Sequence, residues 1–198
     1  MSKELGGGSM TFLGIADTLQ GDLTGYIPSN LISMCDGQIF LSTALFGEGV
    51  RPAIDFGMSM SIVGGKAQNP LLRNLSSTLR LDYTQYSEIV RLSKLQSGVS
   101  KEAERILKKG RAIIAVLQQV QAMPVSLAEE ILLLYALQEG VLTELSPEGI
   151  VKFRDGIFEF TLANDAALPS VIENSTTLTP DLEAGMRAVF RAFMALNP

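Results

Sequence analysis

The chain changes character near residue 65, and this change constrains its fold more than any other feature. Before that point glycines recur every few residues, singly or in runs such as the triplet at residues 6–8. Glycines at this density favour turns and interrupt long helices. Short apolar runs bounded by glycine, at residues 11–16 and 38–41, have the pattern of buried parallel strands. The first 65 residues therefore predict an α/β fragment of strands and turns.

After residue 65, apolar side chains recur at intervals of three and four, the spacing of helices with one buried face. One long helix is predicted over residues 72–90, and another is predicted to begin at Ser100. The inner face of the first is formed by Leu72, Leu75, Leu79, Tyr83, Tyr86 and Val90.

Helix-capping residues predict three further helices, which begin after Ser126, Ser146 and Thr179. The segment at residues 164–179 is polar and is predicted to be partly loop. The chain therefore divides into two predicted domains, an α/β fragment at residues 1–65 and an all-α helical bundle at residues 66–198.

Composition excludes several classes of function. The sequence has no histidine, which removes the commonest general base and a common zinc ligand. Its single cysteine, Cys35, cannot form an intrachain disulfide and suits a reducing compartment. The net charge of −5 argues against binding to nucleic acid. The sequence lacks a run of 18 uncharged apolar residues, so direct membrane insertion is not expected.

Charge is unevenly distributed within the helical part. Residues 66–111 carry ten Lys and Arg against four Asp and Glu, whereas residues 112–198 carry four against eleven. The basic residues are spread along helices without interleaved aromatic residues, which favours a solvated face packed against the acidic set. A phosphate-binding face is the alternative interpretation.

The chain lacks the residues needed for independent nucleotide hydrolysis. It contains no Gly-x-x-x-x-Gly-Lys-Ser/Thr loop to cradle phosphates and hold magnesium. The glycine triplet before Ser9 is a weak match, since no lysine follows it. The adjacent carboxylates Glu129 and Glu130 fall in the first turn of a predicted helix, where they complement its dipole. We predict no catalytic residue, no metal ligand and no enzymatic activity for the isolated chain.

Long motifs in the chain resemble the alpha subunit of F-type ATP synthases. They are Gly-Tyr-Ile-Pro-Ser-Asn-Leu-Ile-Ser-Met-Cys-Asp-Gly-Gln-Ile-Phe-Leu at residues 25–41, Arg-Pro-Ala-Ile at 51–54, Leu-Arg-Leu-Asp-Tyr-Thr-Gln-Tyr at 79–86 and Met-Pro-Val at 123–125. The resemblance implies the last strands of a RecA-like nucleotide-binding domain followed by a helical C-terminal domain. It also implies that the family's phosphate-binding half would precede residue 1.

The resemblance further implies a nucleotide site and a set of partners. In the family, an Arg-Pro pair and a Gln-x-Gln motif surround the adenine of a non-exchanging nucleotide; here these are Arg51, Pro52, Gln119 and Gln121. ATP or ADP with Mg would bind the intact parent subunit, and no tight binding is expected of this chain alone. The partners implied are beta-type and gamma-type subunits, in a cytoplasmic ring peripheral to an energy-coupling membrane. We also expect self-association through exposed strands.

The sequence departs from the family pattern at two places. Ile62 stands where the family has the arginine that reaches the neighbouring catalytic site, and Lys66 lacks the planar donor fork needed to replace it. Residues 95–100 replace a family loop and lose both of its carboxylates. Subunit-interface positions implied by the resemblance are Ser33, Asp36, Ser61 and Ile62.

Two hypotheses of function follow from this sequence. In the first, the chain is the C-terminal portion of a non-catalytic alpha-type subunit of a rotary, proton-translocating ATP synthase, which contributes to the alternating ring and to a regulatory nucleotide site. In the second, it is a catalytically inert, truncated paralogue that acts as a subunit-interaction module. The length and number of the matching motifs favour the first hypothesis. Ile62 favours the second, because the family arginine at this position is the residue that a working ring could least do without.

Overall fold

The computed structural model describes residues 2–93 and 100–196 of the chain. It divides into two compact units, Met1–Asp36 and Gly37–Pro198. The described part is mostly helical, and its regular strands form one small two-stranded sheet. The domain boundary near residue 65 stays a prediction, because these compact units divide at a different point of the chain.

The first unit contains one α-helix, α1 (Tyr26–Met34), and two single 3-10 turns, Lys3–Leu5 and Leu19–Gly21. The strand predicted at residues 11–16 is wrong, because these residues adopt no regular structure. A strand is stable only when its backbone groups pair with a neighbour, and the described part of this unit provides none. The apolar side chains of the segment are consequently exposed, as Phe12 (85%) and Ile15 (101%) illustrate.

Helix α1 was not predicted from the glycine-rich pattern of the first 65 residues. Gly25 precedes it with an extended backbone, and Pro28 falls in its first turn. Proline is tolerated there because the first amides of a helix have no intrahelical partner. The motif at residues 25–41 that carries the family resemblance thus contains a helix, and that helix buries none of its side chains.

The second unit begins with β1 (Gly37–Gln38), which pairs antiparallel with β2 (Met60–Ser61). An isolated antiparallel bridge continues the pairing between Leu41 and Ile54. The run at residues 38–41 therefore does pair, but in antiparallel and not in the predicted parallel arrangement. Gly37 is required at this crossing, because a Cβ atom there would lie 2.6 Å from the Met60 carbonyl oxygen. Two short helices, α2 (Thr43–Gly47) and α3 (Gly64–Ala67), flank β2 in sequence.

The long helix predicted over residues 72–90 is divided into α4 (Pro70–Ser76) and α5 (Leu79–Ser93). At the division, Ser77 donates its hydroxyl to the carbonyl of Asn74 at 2.7 Å. Serine side chains that bond nearby carbonyls in this way compete with the regular helical pattern. The division separates the predicted inner face into two parts: Leu72 and Leu75 are buried, whereas α5 buries no residue completely.

The remaining helices are α6 (Lys101–Leu117), α7 (Leu127–Gln138), α8 (Pro147–Asn164), α9 (Leu168–Asn174) and α10 (Pro180–Leu196). The predicted caps are confirmed. Ser100, Ser126 and Ser146 each accept the amide three residues ahead, at 3.2, 3.2 and 3.1 Å. Thr179 accepts the amide of Leu182 at 3.3 Å. The segment predicted to be partly loop contains α9, which buries Leu168, Pro169 and Ile172.

Helix α7 is at the centre of the bundle core and packs against α4, α6, α8 and α9. Its side chains from Ile131 to Leu137 are all buried, as expected for a helix covered on every side. Phe153 of α8 contacts the rings of Phe190 and Phe193 on α10 at centroid distances of 5.5 and 5.4 Å. The five side chains of α10 predicted to face inward are all buried: Leu182, Met186, Val189, Phe190 and Phe193.

Helices α5 and α6 form an antiparallel pair at the side of this core. Lys109 on α6 pairs with Asp82 on α5 at 2.7 Å. Gly110 is buried beneath the ring of Tyr86, which occupies the space that a Cβ atom would need. Of the altered loop at residues 95–100, residues 95–99 lie outside the described residues. Within the described part, each helix is too short or too polar to cross a membrane.

Candidate nucleotide site

The Arg51–Pro52 pair lies at the start of a segment held by backbone hydrogen bonds. The amide of Ser42 donates to the carbonyl of Ala53 at 2.8 Å, and the amide of Asp55 donates to Phe40 at 3.0 Å. Ala53 is buried, whereas Arg51 and Pro52 are exposed and are joined by a cis peptide bond. The segment thus fixes the backbone of the pair while both side chains face solvent.

The Arg51 guanidinium is held in place by its own neighbourhood. Its central carbon lies 3.5 Å from the centroid of the Phe46 ring. One terminal nitrogen donates to the carbonyls of Phe46 and Val50, at 2.7 and 2.9 Å. These contacts orient the planar group and use one of its faces. Arg51 remains exposed with these contacts in place.

The structure brings one residue of the predicted Gln-x-Gln motif, Gln119, into backbone contact with Arg51. The backbone amide of Gln119 donates to the carbonyl of Arg51 at 3.0 Å, across 68 positions of sequence. Gln121 follows two residues later in a turn where Ala122 has a φ of 61°. Both glutamines are exposed, and within the described residues their side-chain amides form no hydrogen bond to protein. Amide groups that are not already paired can bond the edge of a base.

A further residue, Arg154 of α8, holds the end of α6 just before these glutamines. Its Nη1 donates to the carbonyls of Ala115 and Gln118, at 2.9 and 3.4 Å, and its Nε pairs with Asp155 at 2.7 Å. The side chain is only 14% exposed. Arg154 therefore fixes the last turn of α6 and the first residue after it.

A cavity of about 20 Å³ lies beside Pro52 and is lined by side chains that include Pro52, Phe56, Tyr83 and Leu117. Phe56 and Tyr83 make an edge-to-face contact there, with centroids 5.4 Å apart. Burial raises the pKa of the Tyr83 phenol, and the charge of Asp55 raises it further. Such a volume is far too small for a nucleotide, so the candidate site is the surface formed by Arg51, Pro52 and the glutamines.

The four residues predicted at a subunit interface are all exposed. Ser33 and Asp36 belong to the first compact unit, where the Ser33 hydroxyl donates to the Asn30 carbonyl at 2.7 Å. Ser61 and Ile62 belong to the second, where the Ser61 hydroxyl accepts the amide of Gly64 at 2.9 Å. Ile62 is 65% exposed although it is fully apolar. An interface at these positions stays a prediction.

The donor atoms of this surface suit a base better than a metal. Within the described residues, three or more Cys, Asp or Glu side chains do not gather at any point to hold an ion. Arg51 and the two glutamines offer a planar cation and side-chain amide groups. They do not offer the carboxylates or the backbone cradle that magnesium and phosphates require.

Two residues of this site were missed by sequence reasoning. Phe46, beneath Arg51, gave no signal apart from its position five residues upstream. Arg154 could have been suspected, because the last turn of α6 contains no basic residue of its own to complement the helix dipole. Arg154 lies 39 positions from Ala115 in the sequence, so the sequence did not distinguish it from the other arginines as the partner of α6.

Comparison with known proteins places this fold in a family. Residues 1–61 match the model of the ATP synthase alpha/beta family, nucleotide-binding domain, and residues 68–193 match that of the ATP synthase alpha/beta chain, C terminal domain. Because the second match alone covers well over half of the chain, the bundle is an ATP synthase alpha/beta C-terminal domain.

Individual relatives are named ATP synthase subunit alpha. The protein of Clostridium botulinum is 37% identical over 193 residues, which are 98% of this chain and 38% of the relative. That of Clostridium acetobutylicum is 39% identical over 184 residues, covering 93% and 36%. That of Ligilactobacillus salivarius is 39% identical over 197 residues, covering 98% and 39%. The chain belongs to the ATP synthase alpha subunit family and spans less than two fifths of these relatives' length.

Proposed function

We propose that the chain serves as the C-terminal portion of a non-catalytic alpha-type subunit and supplies the adenine side of a regulatory nucleotide site. The observation that carries this proposal is the hydrogen bond from the Gln119 amide to the Arg51 carbonyl, at 3.0 Å. It joins the Arg-Pro pair to the Gln-x-Gln segment, the two elements that the family resemblance assigns to adenine. The family match over the whole described bundle supports the same assignment.

Each residue has a defined part in this proposal. Arg51 and Pro52 would stack on the purine, with the guanidinium already oriented by Phe46. Gln119 and Gln121 would bond the base edge through amides that have no described protein partner. These residues offer no ligands for the phosphates of a nucleotide or for the magnesium ion that the phosphates bind. Binding to the chain alone should therefore be weak, with a Kd of about 1 mM, or about −4 kcal/mol.

The wider role proposed is that of a family subunit in a rotary, proton-translocating ATP synthase. The chain would pack beside beta-type and gamma-type subunits in a ring peripheral to an energy-coupling membrane, and ATP synthesis would belong to the assembled complex. Relatives that match over more than nine tenths of this chain are named ATP synthase subunit alpha, which supports this role.

A second proposed function is that of a catalytically inert module for subunit contact. It is favoured by Ile62, whose exposed apolar side chain has neither the charge nor the donors of a guanidinium. An exposed apolar residue at a proposed interface can contribute to subunit contact through burial but cannot stabilise a developing phosphate charge. Both proposals share the interface and differ in whether the neighbouring catalytic site is active.

The nucleotide proposal is tested by titrating the full chain with ADP and following backbone and glutamine side-chain amide signals by NMR. Signals of Arg51, Gln119 and Gln121 should shift with a Kd in the millimolar range. Arg51→Ala should abolish the shifts, whereas Arg191→Ala, the same change on α10, should leave them unchanged. Micromolar binding, or shifts confined to other residues, would contradict the proposal.

The two functions are separated by adding a purified beta-type subunit and a phosphate-binding half, and by isolating the complex. The subunit proposal expects a complex that turns over ATP. The module proposal expects a complex of the same size without turnover. Failure to form any complex would reject both.

Self-association is proposed as a property of the chain on its own. Met10, Phe12, Leu13 and Ile15 are each more than four-fifths exposed and lie in a segment without regular structure. Uncharged segments of this kind can pair with a second chain through their backbone. Light scattering should detect oligomers whose size falls when Phe12 and Ile15 are both changed to Lys.

A further inference from the structure

The last carbonyl groups of α6 need hydrogen-bond donors from outside the helix. The last carbonyls of a helix lack intrahelical donors and form the negative end of its dipole. Helix α6 ends at Leu117, has no basic residue in its last turn, and is followed by Gln118 in an extended conformation. The amide of Gln118 continues the helical pattern by donating to Ile114 at 3.1 Å.

Arg154 supplies the missing donors from α8. One terminal nitrogen reaches both the Ala115 carbonyl inside the last turn and the Gln118 carbonyl just outside it. The pairing of its Nε with Asp155 fixes the direction of the guanidinium. Because the side chain is mostly buried, these contacts are little screened by water.

The residue after Gln118 is Gln119, whose amide is bonded to Arg51. The connection that leaves α6 is therefore held on two sides: Arg154 holds the Gln118 carbonyl, and the Arg51 carbonyl holds the Gln119 amide. The two contacts are on opposite sides of one peptide unit. Together they fix the start of the segment that carries Gln119 and Gln121 relative to the Arg51–Pro52 pair.

We propose that Arg154 is a positioning residue of the candidate nucleotide site, which acts by fixing the peptide unit between Gln118 and Gln119. The effect of Arg154 on nucleotide binding, but not its local effect on the peptide unit, rests on the proposed function. Arg154 does not touch the base. It holds the glutamine segment at the distance from Arg51 at which stacking and edge contacts can form together.

The first measurement is local and needs no nucleotide. In the full chain, Arg154→Met keeps the buried stem and removes all guanidinium donors. Amide hydrogen exchange at Gln119 should become about tenfold faster, because its hydrogen bond to Arg51 opens more often. Exchange at Leu132, in the middle of α7, should not change. Equal exchange at Gln119 in both proteins would overturn the inference.

The second measurement is the ADP titration described above. Arg154→Met should weaken ADP binding by about threefold to tenfold, and Arg154→Lys should recover part of the loss by restoring one charged donor. Arg187→Met is the matched control, since Arg187 pairs with Glu139 and Glu183 elsewhere in the bundle. It should lower stability without changing the affinity for ADP.

The outcomes separate the two proposals. If ADP moves no signal in the unsubstituted chain, the proposed function fails and the inference fails with it. If ADP binds that chain and Arg154→Met with equal affinity, the inference alone fails. If Arg187→Met weakens ADP binding as much as Arg154→Met, the effect reflects general stability and the positioning role is rejected.

Discussion

Gly110 provides a sharp test of how α5 packs on α6. It lies in the interior of α6, is buried, and has the ring of Tyr86 in the place of a Cβ atom. Ala favours a helix interior over Gly by about 0.5–1 kcal/mol, so Gly110→Ala would stabilise an isolated helix. Here the added methyl group overlaps the ring, and inserting a group into a filled space costs about 1–3 kcal/mol.

The overlap is severe, since the nearest ring atoms and the Tyr86 Cβ all lie closer than any real contact. We therefore take a cost of about 3 kcal/mol, from the upper end of that range. After subtraction of about 1 kcal/mol for the gain in helix propensity, we expect Gly110→Ala to lower the free energy of unfolding by about 2 kcal/mol. For a chain of this size such a loss lowers Tm by about 4–8 °C. Urea denaturation followed by circular dichroism would measure it.

Gly185 of α10 is the matched control. A Cβ atom there would meet the Leu168 side chain at 3.4 Å, an ordinary contact, so Gly185→Ala should stabilise by about 0.5–1 kcal/mol. In a Tyr86→Ala background, Gly110→Ala should also become stabilising, because the obstructing ring is gone. If Gly110→Ala equals Gly185→Ala in the unsubstituted background, the close packing of Tyr86 on Gly110 is refuted.

Three other changes have definite expected results. Phe153→Ala should cost about 3–5 kcal/mol in urea denaturation, because the ring is fully buried against two others; a cost below about 1 kcal/mol would contradict that packing. Burial raises the pKa of the Glu129 carboxyl above its ordinary value of about 4.5. The contribution of the protonated Glu129 side chain to the free energy of unfolding is therefore complete below about pH 4.5 and is lost as the pH rises through the folded-state pKa. Glu129→Gln should remove this loss, and parallel stability–pH curves for the two proteins would reject the assignment. In a complex with a phosphate-binding half and a beta-type subunit, Ile62→Arg should raise ATP hydrolysis by at least about tenfold with a smaller change in nucleotide affinity; Lys66→Arg is the control, and an unchanged rate for Ile62→Arg would remove position 62 from the catalytic interface.

The sequence by itself determined the family and most of the helical part. Helix caps such as Ser126 and Ser146 act through hydrogen bonds within three residues, so their effect can be recognised without knowledge of the fold. The inward face of α10 was predicted correctly for the same reason, since helical periodicity is a local property. The family motifs are long enough to identify relatives, although the secondary structure of the motif residues could not be predicted from them.

Only the tertiary structure decided the features that depend on distant partners. The apolar run at residues 11–16 has strand propensity, but a strand also needs a neighbouring backbone, and the described unit contains none. The association of Gln119 with Arg51 and the reach of Arg154 to α6 join residues 68 and 39 positions apart. Such contacts depend on how helices pack, and helix packing follows from the shape of the whole core, which is not encoded in any short segment.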